Sequence, residues 1–178
     1  YYGLMYLAKN AKKEVKIHTP YIICNDYMYN ELKNIKVPTT IMTNSAENNG
    51  NIFGAVDYLN HKKDIINTGV TIKEYEGGIS YHGKSMTIDD DIAIVGSFNM
   101  DMRSAYIDTE LMLVINSKDI NKQLKASMEE YEKKAATVKN ETEYSHIPEG
   151  MKMKELSDKK KNIKAWFGWA MNGLRFLF

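Results

Sequence analysis

Within SYHGKSMTIDDDIAIVGSFNMD, residues 80–101, His82 and Lys84 stand two apart, and a short apolar run after them ends in Gly96, Ser97 and Asn99. An imidazole can attack or protonate an oxygen near neutral pH. A lysine adds fixed positive charge, while a hydroxyl and an amide add hydrogen bonds. That set suits an anionic centre such as a phosphate, where catalysis is mostly positioning and charge stabilisation. For the four groups to meet, the chain must fold back on itself. Strands over KSMTID and IAIVGS, turning at Asp89-Asp90-Asp91, would do this, and side chains two apart on a strand share a face. Gly96 would let the backbone come close to whatever lies there.

The flanking elements follow from periodicity and punctuation. YYGLMYLAKN reads as the last turns of a helix. EVKIHTPYII is a β-rich run, and Asn25 can cap a short helix over DYMYNELKNI. A second strand, PTTIMTN, precedes the turn-prone SAENNGN. Then Ile52, Val56, Leu59 and Ile66 recur at near-helical spacing up to Gly69. Strands VTIKEYE and ELMLVINS and a helix with Ile120, Leu124, Met128 and Tyr131 on one face complete the alternation. Strands alternating with helices predict an α/β fold with a mixed β-sheet.

Composition bounds the function class. The 178 residues suffice for one domain with a substantial core. A net charge of +1 argues against binding nucleic acid by phosphate neutralisation alone. The charge is uneven, with +4 over residues 147–178 and −3 over the rest. Cys24 is the single cysteine, so no internal disulfide is available, and it reads as a small apolar filler. No apolar run reaches the roughly 18 residues of a membrane span. The opening without Met suggests a piece of a longer protein.

The spacing His82-x-Lys84-x4-Asp89-x6-Gly96-Ser97-x-Asn99 resembles the HKD signature of the phospholipase D superfamily. MDMRSAYIDTELMLVI is similar to the continuation of its bacterial cardiolipin-synthase-like branch, with Asp108 where that branch usually has Asn. IHTPYI, MTNSAENNG and SYHGKS resemble the same branch, so the likeness runs over about residues 1–135. It implies a phospholipase D-like mixed sheet flanked by helices, with His82 as covalent nucleophile or as the general acid and base opposite it. Lys84, Ser97 and Asn99 would hold phosphate oxygens, and Glu110 would hydrogen-bond the other nitrogen of the histidine, orienting it as triads do. Asp89 would order the hairpin. Gly96, Asp101, Arg103 and Ser104 read as structural, Arg103 bracing the loop against a carboxylate. Asn44 and Ser45 would line the entrance, while His18, His61 and His146 read as structural. No metal or other cofactor is implied, because the lysines supply the positive charge. The family faces two such motifs across one site, so a missing N-terminal half or a second copy of the chain is the expected partner.

Residues 136–158 are polar and read as a linker. Residues 159–178 read as an amphipathic helix whose basic and aromatic residues Lys160, Lys161, Lys164, Trp166, Phe167 and Trp169 would contact an anionic membrane. The expectation is a membrane-associated bacterial phosphatidyltransferase of cardiolipin synthase type acting on phospholipid through a phosphohistidine. The rivals are a hydrolytic phospholipase D, a nuclease and a membrane-binding module with a decayed site.

Overall fold

The computed structural model describes residues 1–167 together with Gly173 and Arg175. Helix α1 (Tyr2–Lys9) leads into strand β1 (Val15–His18). The apolar run that β1 opens breaks at Pro20, which has no N–H for a ladder, and resumes as β2 (Ile22–Ile23). Helix α2 (Asp26–Lys33) starts where the side chain of Asn25 accepts from the Met28 amide. Strand β3 (Thr39–Asn44), helix α3 (Ile52–Ile66), capped by Asn51, and strand β4 (Thr71–Tyr75) follow. Gly69, with φ +87°, terminates α3 in the left-handed region that favours glycine.

The central hairpin is β5 (Ser85–Ile88) and β6 (Ile92–Gly96). Beyond it lie β7 (Met100–Asp101), a one-turn helix α4 (Met102–Tyr106), β8 (Met112–Asn116) and helix α5 (Lys118–Glu132), which Ser117 caps. Strands β9 (Ala135–Val138) and β10 (Tyr144–His146) and helix α6 (Asp158–Phe167) close the described chain.

Eight strands form one mixed sheet in the order β10-β9-β4-β3-β1-β5-β6-β8, while β2 and β7 pair in a small parallel ribbon. β1, β3 and β4 run parallel, and β5 lies antiparallel to β1. The core gathers Met5, Ile17, Ile22, Met28, Leu32, Ile41, Ile72 and Ile94. Each such side chain contributes roughly 1.5–3 kcal/mol by leaving water.

The stretch 136–158 is not simply a linker. It opens inside β9, which pairs with β4 and buries Ala135 and Ala136, and it contains β10. Its polar composition reflects strands at the sheet margin, with Tyr144 donating to Glu74 of β4. Residues 139–143, between the two strands, and 147–157 lack helix and strand. Of the tail expected to be helical, residues 159–167 lie in α6, beside α3. Trp169 and the Phe167 side chain lie outside the described residues, as do the other tail positions expected on its apolar face beyond Trp166.

Candidate active site

His82 does not sit on a strand: residues 81–84 are irregular and β5 begins at Ser85. The strand alternation expected to align His82 with Lys84 is therefore replaced by a loop, which brings the two side chains into contact. The Lys84 ammonium lies 2.9 Å from His82 Nδ1 and donates to the His82 carbonyl at 2.8 Å. Partial burial, and then the adjacent Lys84 charge, hold the imidazole below its ordinary pKa. Burial also lowers Lys84, with Glu110 and Asp101 acting in the opposite direction.

Across the hairpin, β6 ends at Gly96, whose N–H donates to the Lys84 carbonyl. A Cβ at position 96 would lie 2.1 Å from the Leu111 carbonyl, so only glycine permits β8 to approach here. Ser97 accepts from the Leu111 amide at 3.0 Å and donates to Glu110. The second Glu110 oxygen accepts from Ser104 Oγ at 2.8 Å. The carboxylate expected to orient the histidine thus has both oxygens engaged by Ser97 and Ser104, and the ring of His82 is met by Lys84 instead. The Asn99 backbone N–H donates to Ser104 Oγ at 3.3 Å, its side-chain amide reaches the same oxygen only at 3.5 Å, and its buried Oδ1 has no partner among the described residues.

The residues around this set stiffen it. Asp101 caps α4, its carboxylate accepting from the Ser104 amide at 2.5 Å, and burial raises its pKa. Arg103 Nε reaches both oxygens of Asp108 at 3.0 Å, so the aspartate that departs from the family pattern serves as its partner. Asp89, at φ +51°, turns the hairpin and accepts from the amides of Lys12, Lys13 and Glu14. Burial opposes its charge, but those amides prevail and hold its pKa down.

Asn44 and Ser45 do not line an entrance; both are buried. Asn44 grips the histidine loop from beneath, accepting from the Tyr81 amide at 2.8 Å and donating to the Tyr81 carbonyl at 2.9 Å. Asn48 holds Gly78 and Ile79 in the same manner. The asparagines in MTNSAENNG are the sequence signal for this scaffold, though turn propensity alone does not say what they hold. Beside His82 and Lys84 opens a trough of about 550 Å³ lined by Tyr75, Ile79, Tyr81, Val95, Leu124 and Tyr131. Ile79 at its rim is 84% exposed.

Comparison with known proteins follows this geometry. The family described as "Cardiolipin synthase, PLD-like domain" matches over residues 4–131. The chain belongs to that family. Among curated relatives, cardiolipin synthase 1 of Staphylococcus epidermidis strain ATCC 12228 is 31% identical over 157 residues, covering 86% of this chain and 31% of the relative. A cardiolipin synthase of Staphylococcus aureus strain Mu50 is 32% identical over 127 residues, 70% of this chain and 25% of the relative. The chain thus spans less than a third of the length of these relatives. Of solved structures, phosphatidylserine synthase of Haemophilus influenzae superposes with TM-score 0.71 at 16% identity, covering 98% of this chain and 44% of that one. Nuc of Salmonella typhimurium, a phospholipase D family member, superposes with TM-score 0.62 at 16% identity, covering 77% and 89%. These likenesses show the phospholipase D fold.

The membrane-contact candidates divide. Lys161, Lys164 and Trp166 are exposed on α6, but Lys160 is buried, 8% exposed, and turns inward. A run of three lysines reads in the sequence as one solvated face. A helix passing over a loop instead directs one of the three into it. Among the described residues no helix is long and apolar enough to cross a membrane.

Proposed function

We propose that this chain supplies one half of the active site of a phosphatidyltransferase of cardiolipin synthase type. His82 either attacks phosphorus or, from the opposite side, protonates the departing oxygen, and Lys84 holds the phosphate oxygens. In the covalent route the imidazole nitrogen forms a bond to phosphorus as the bond to the departing alcohol breaks, and the alkoxide takes a proton from the general acid. An acceptor alcohol then returns the phosphatidyl group from the phosphohistidine while its own proton passes to the base. A substrate oxygen competes with His82 for the Lys84 ammonium, which frees the ring for reaction.

The observation that carries this reading is the trough. It joins a cationic end, His82 and Lys84, to an apolar and aromatic body, the pairing an amphipathic phosphate ester needs. The names of the relatives favour the same substrate class. A second HKD-bearing half, or a second copy of the chain, completes the site. The exposed Ile107, Leu111, Leu113 and Val114 beside Glu110 offer it an apolar seat. The exposed lysines of α6 and Trp166 suit the surface of an anionic membrane.

The test is to incubate the intact protein, wild type and His82→Ala, with labelled phosphatidylglycerol in mixed micelles and to resolve the lipids. Cardiolipin from the wild type, falling by roughly 10³-fold or more in the variant, is expected. Phosphatidic acid alone would make it a hydrolase, and equal cardiolipin from both proteins would remove His82 from the reaction.

A further inference from the structure

Lys160 is a buried lysine on a helix whose other lysines face water. All three of its ammonium protons have a backbone acceptor: the carbonyls of Ala46 at 2.8 Å, Glu47 at 2.5 Å and Asn49 at 3.0 Å. The Glu47 side chain clasps the same segment from the other side, accepting from the Ser157 amide at 2.9 Å. A charge withdrawn from water to this extent is costly unless it is fully hydrogen-bonded, and here it is.

The third of those carbonyls matters most. The Asn49 carbonyl and the Gly50 N–H belong to one planar peptide unit. The Gly50 N–H donates to Ser80 Oγ at 3.0 Å, two residues before His82. The approach is close, since a Cβ at Gly50 would touch the Ser80 side chain at 3.4 Å. Fixing the oxygen of a rigid peptide with an ammonium fixes the direction of its N–H, and polarises it toward a stronger bond. The same loop carries Asn48, which holds Gly78 and Ile79. Between loop and imidazole lies a small cavity lined by Tyr21, Gly50, Ser80 and His82, so the imidazole has room to swing if its anchor slackens.

We propose that Lys160 is a positioning residue for His82, its ammonium orienting the Asn49–Gly50 peptide that holds Ser80 and the loop carrying the imidazole. The helix expected to contact the membrane is thereby fastened to the reacting group through intervening chain segments and no direct contact. That His82 is the reacting group is the proposed function; the anchoring of its loop stands without it.

Hydrogen exchange of the intact protein, read by mass spectrometry alongside lipid-transfer kinetics, tests this in Lys160→Met, Ser80→Ala and the double variant. In Lys160→Met the 78–84 segment should exchange faster while β1 and β5 keep wild-type protection. The kcat should fall roughly 10-fold or more with KM unchanged, as misplacement of a reacting group produces. The double variant should lose no more than the worse single, because both act on one linkage. If Lys160→Met is too unstable to purify, Lys160→Gln takes its place under the same criteria. Unchanged exchange in 78–84, acceleration spread over the whole domain, additive losses, or faster exchange with an intact kcat would each overturn the proposal. Weaker vesicle binding with normal kcat would return Lys160 to the membrane and overturn it too. Should the wild type turn over no lipid, the exchange pattern still decides the anchoring, and only the functional reading fails.

Discussion

Lys84 acts on His82 twice, as the cation beside it and as a brake on its protonation. Burial and then that charge hold the imidazole below its ordinary pKa, so the ring is neutral, and able to attack, down to lower pH than a free histidine. In Lys84→Met the charge is gone and the imidazole pKa should rise. With His82 attacking and Lys84 binding phosphate as proposed, the acid limb of kcat/KM then moves to higher pH, on top of an overall loss. A profile between about pH 5 and 8 measures it, and a limb that stays in place would mean burial alone sets the pKa. His82, Lys84 and Gly96 were legible in the sequence because spacing and residue type carry that information. The partner of Glu110 was not. Which hydroxyls a carboxylate meets depends on the path of the loop between α4 and β8, and Ser104 enters only because Asp101 starts a one-turn helix. Asn44 likewise has the residue type of a pocket wall, and only the tertiary fold shows it beneath the Tyr81 backbone.

Helix α5 is tied across the sheet by Glu132, which takes His18 of β1 at 3.2 Å and Lys73 of β4 at 2.5 Å. Burial alone would raise the pKa of this carboxyl, yet His18 and Lys73 bring it down to about 2. A carboxyl depressed in the folded state stabilises fully above its ordinary value of 4.5, and that contribution is lost as pH falls through about 2. Glu132→Gln should therefore cost roughly 2 kcal/mol at neutral pH, with the gap to wild type closing toward pH 2. Urea melts at several pH values check both halves. A constant gap would mean that shape, not charge, holds α5. At this scale the sequence was informative wherever period and punctuation agreed: Asn25 before α2, Gly69 after α3, and the strands β3 and β4 on either side of α3. It failed at β9, where two buried alanines carry the pairing and Lys139, Asn140 and Glu141 beyond them read as loop. It failed also at Lys160, because three consecutive lysines have no period that marks the inward one.

For the whole molecule, the unequal treatment of the two sheet margins is informative. One ends in the short strand β10, whose Tyr144 donates to Glu74, whereas at the other β8 and the residue before it leave Leu113 at 58% and Leu111 at 80% exposure next to Glu110. Leu113→Glu in the intact protein should leave the melting temperature nearly unchanged, since the side chain is already in water. It should cut lipid transfer at least roughly 10-fold if the second half seats there. Full activity in that variant would place the partner elsewhere. The order of strands also carries a history. Reading outward from β1, one side runs β3, β4, β9, β10 and the other β5, β6, β8, so every strand joins a margin laid down before it. No strand has to be threaded between two finished neighbours. A ribosome making this chain can therefore set each strand in place as it emerges, at the pace of synthesis rather than of a search. A nascent chain exposed as far as Lys134 would hold the histidine hairpin already formed while the free edge of β4 still waits for β9.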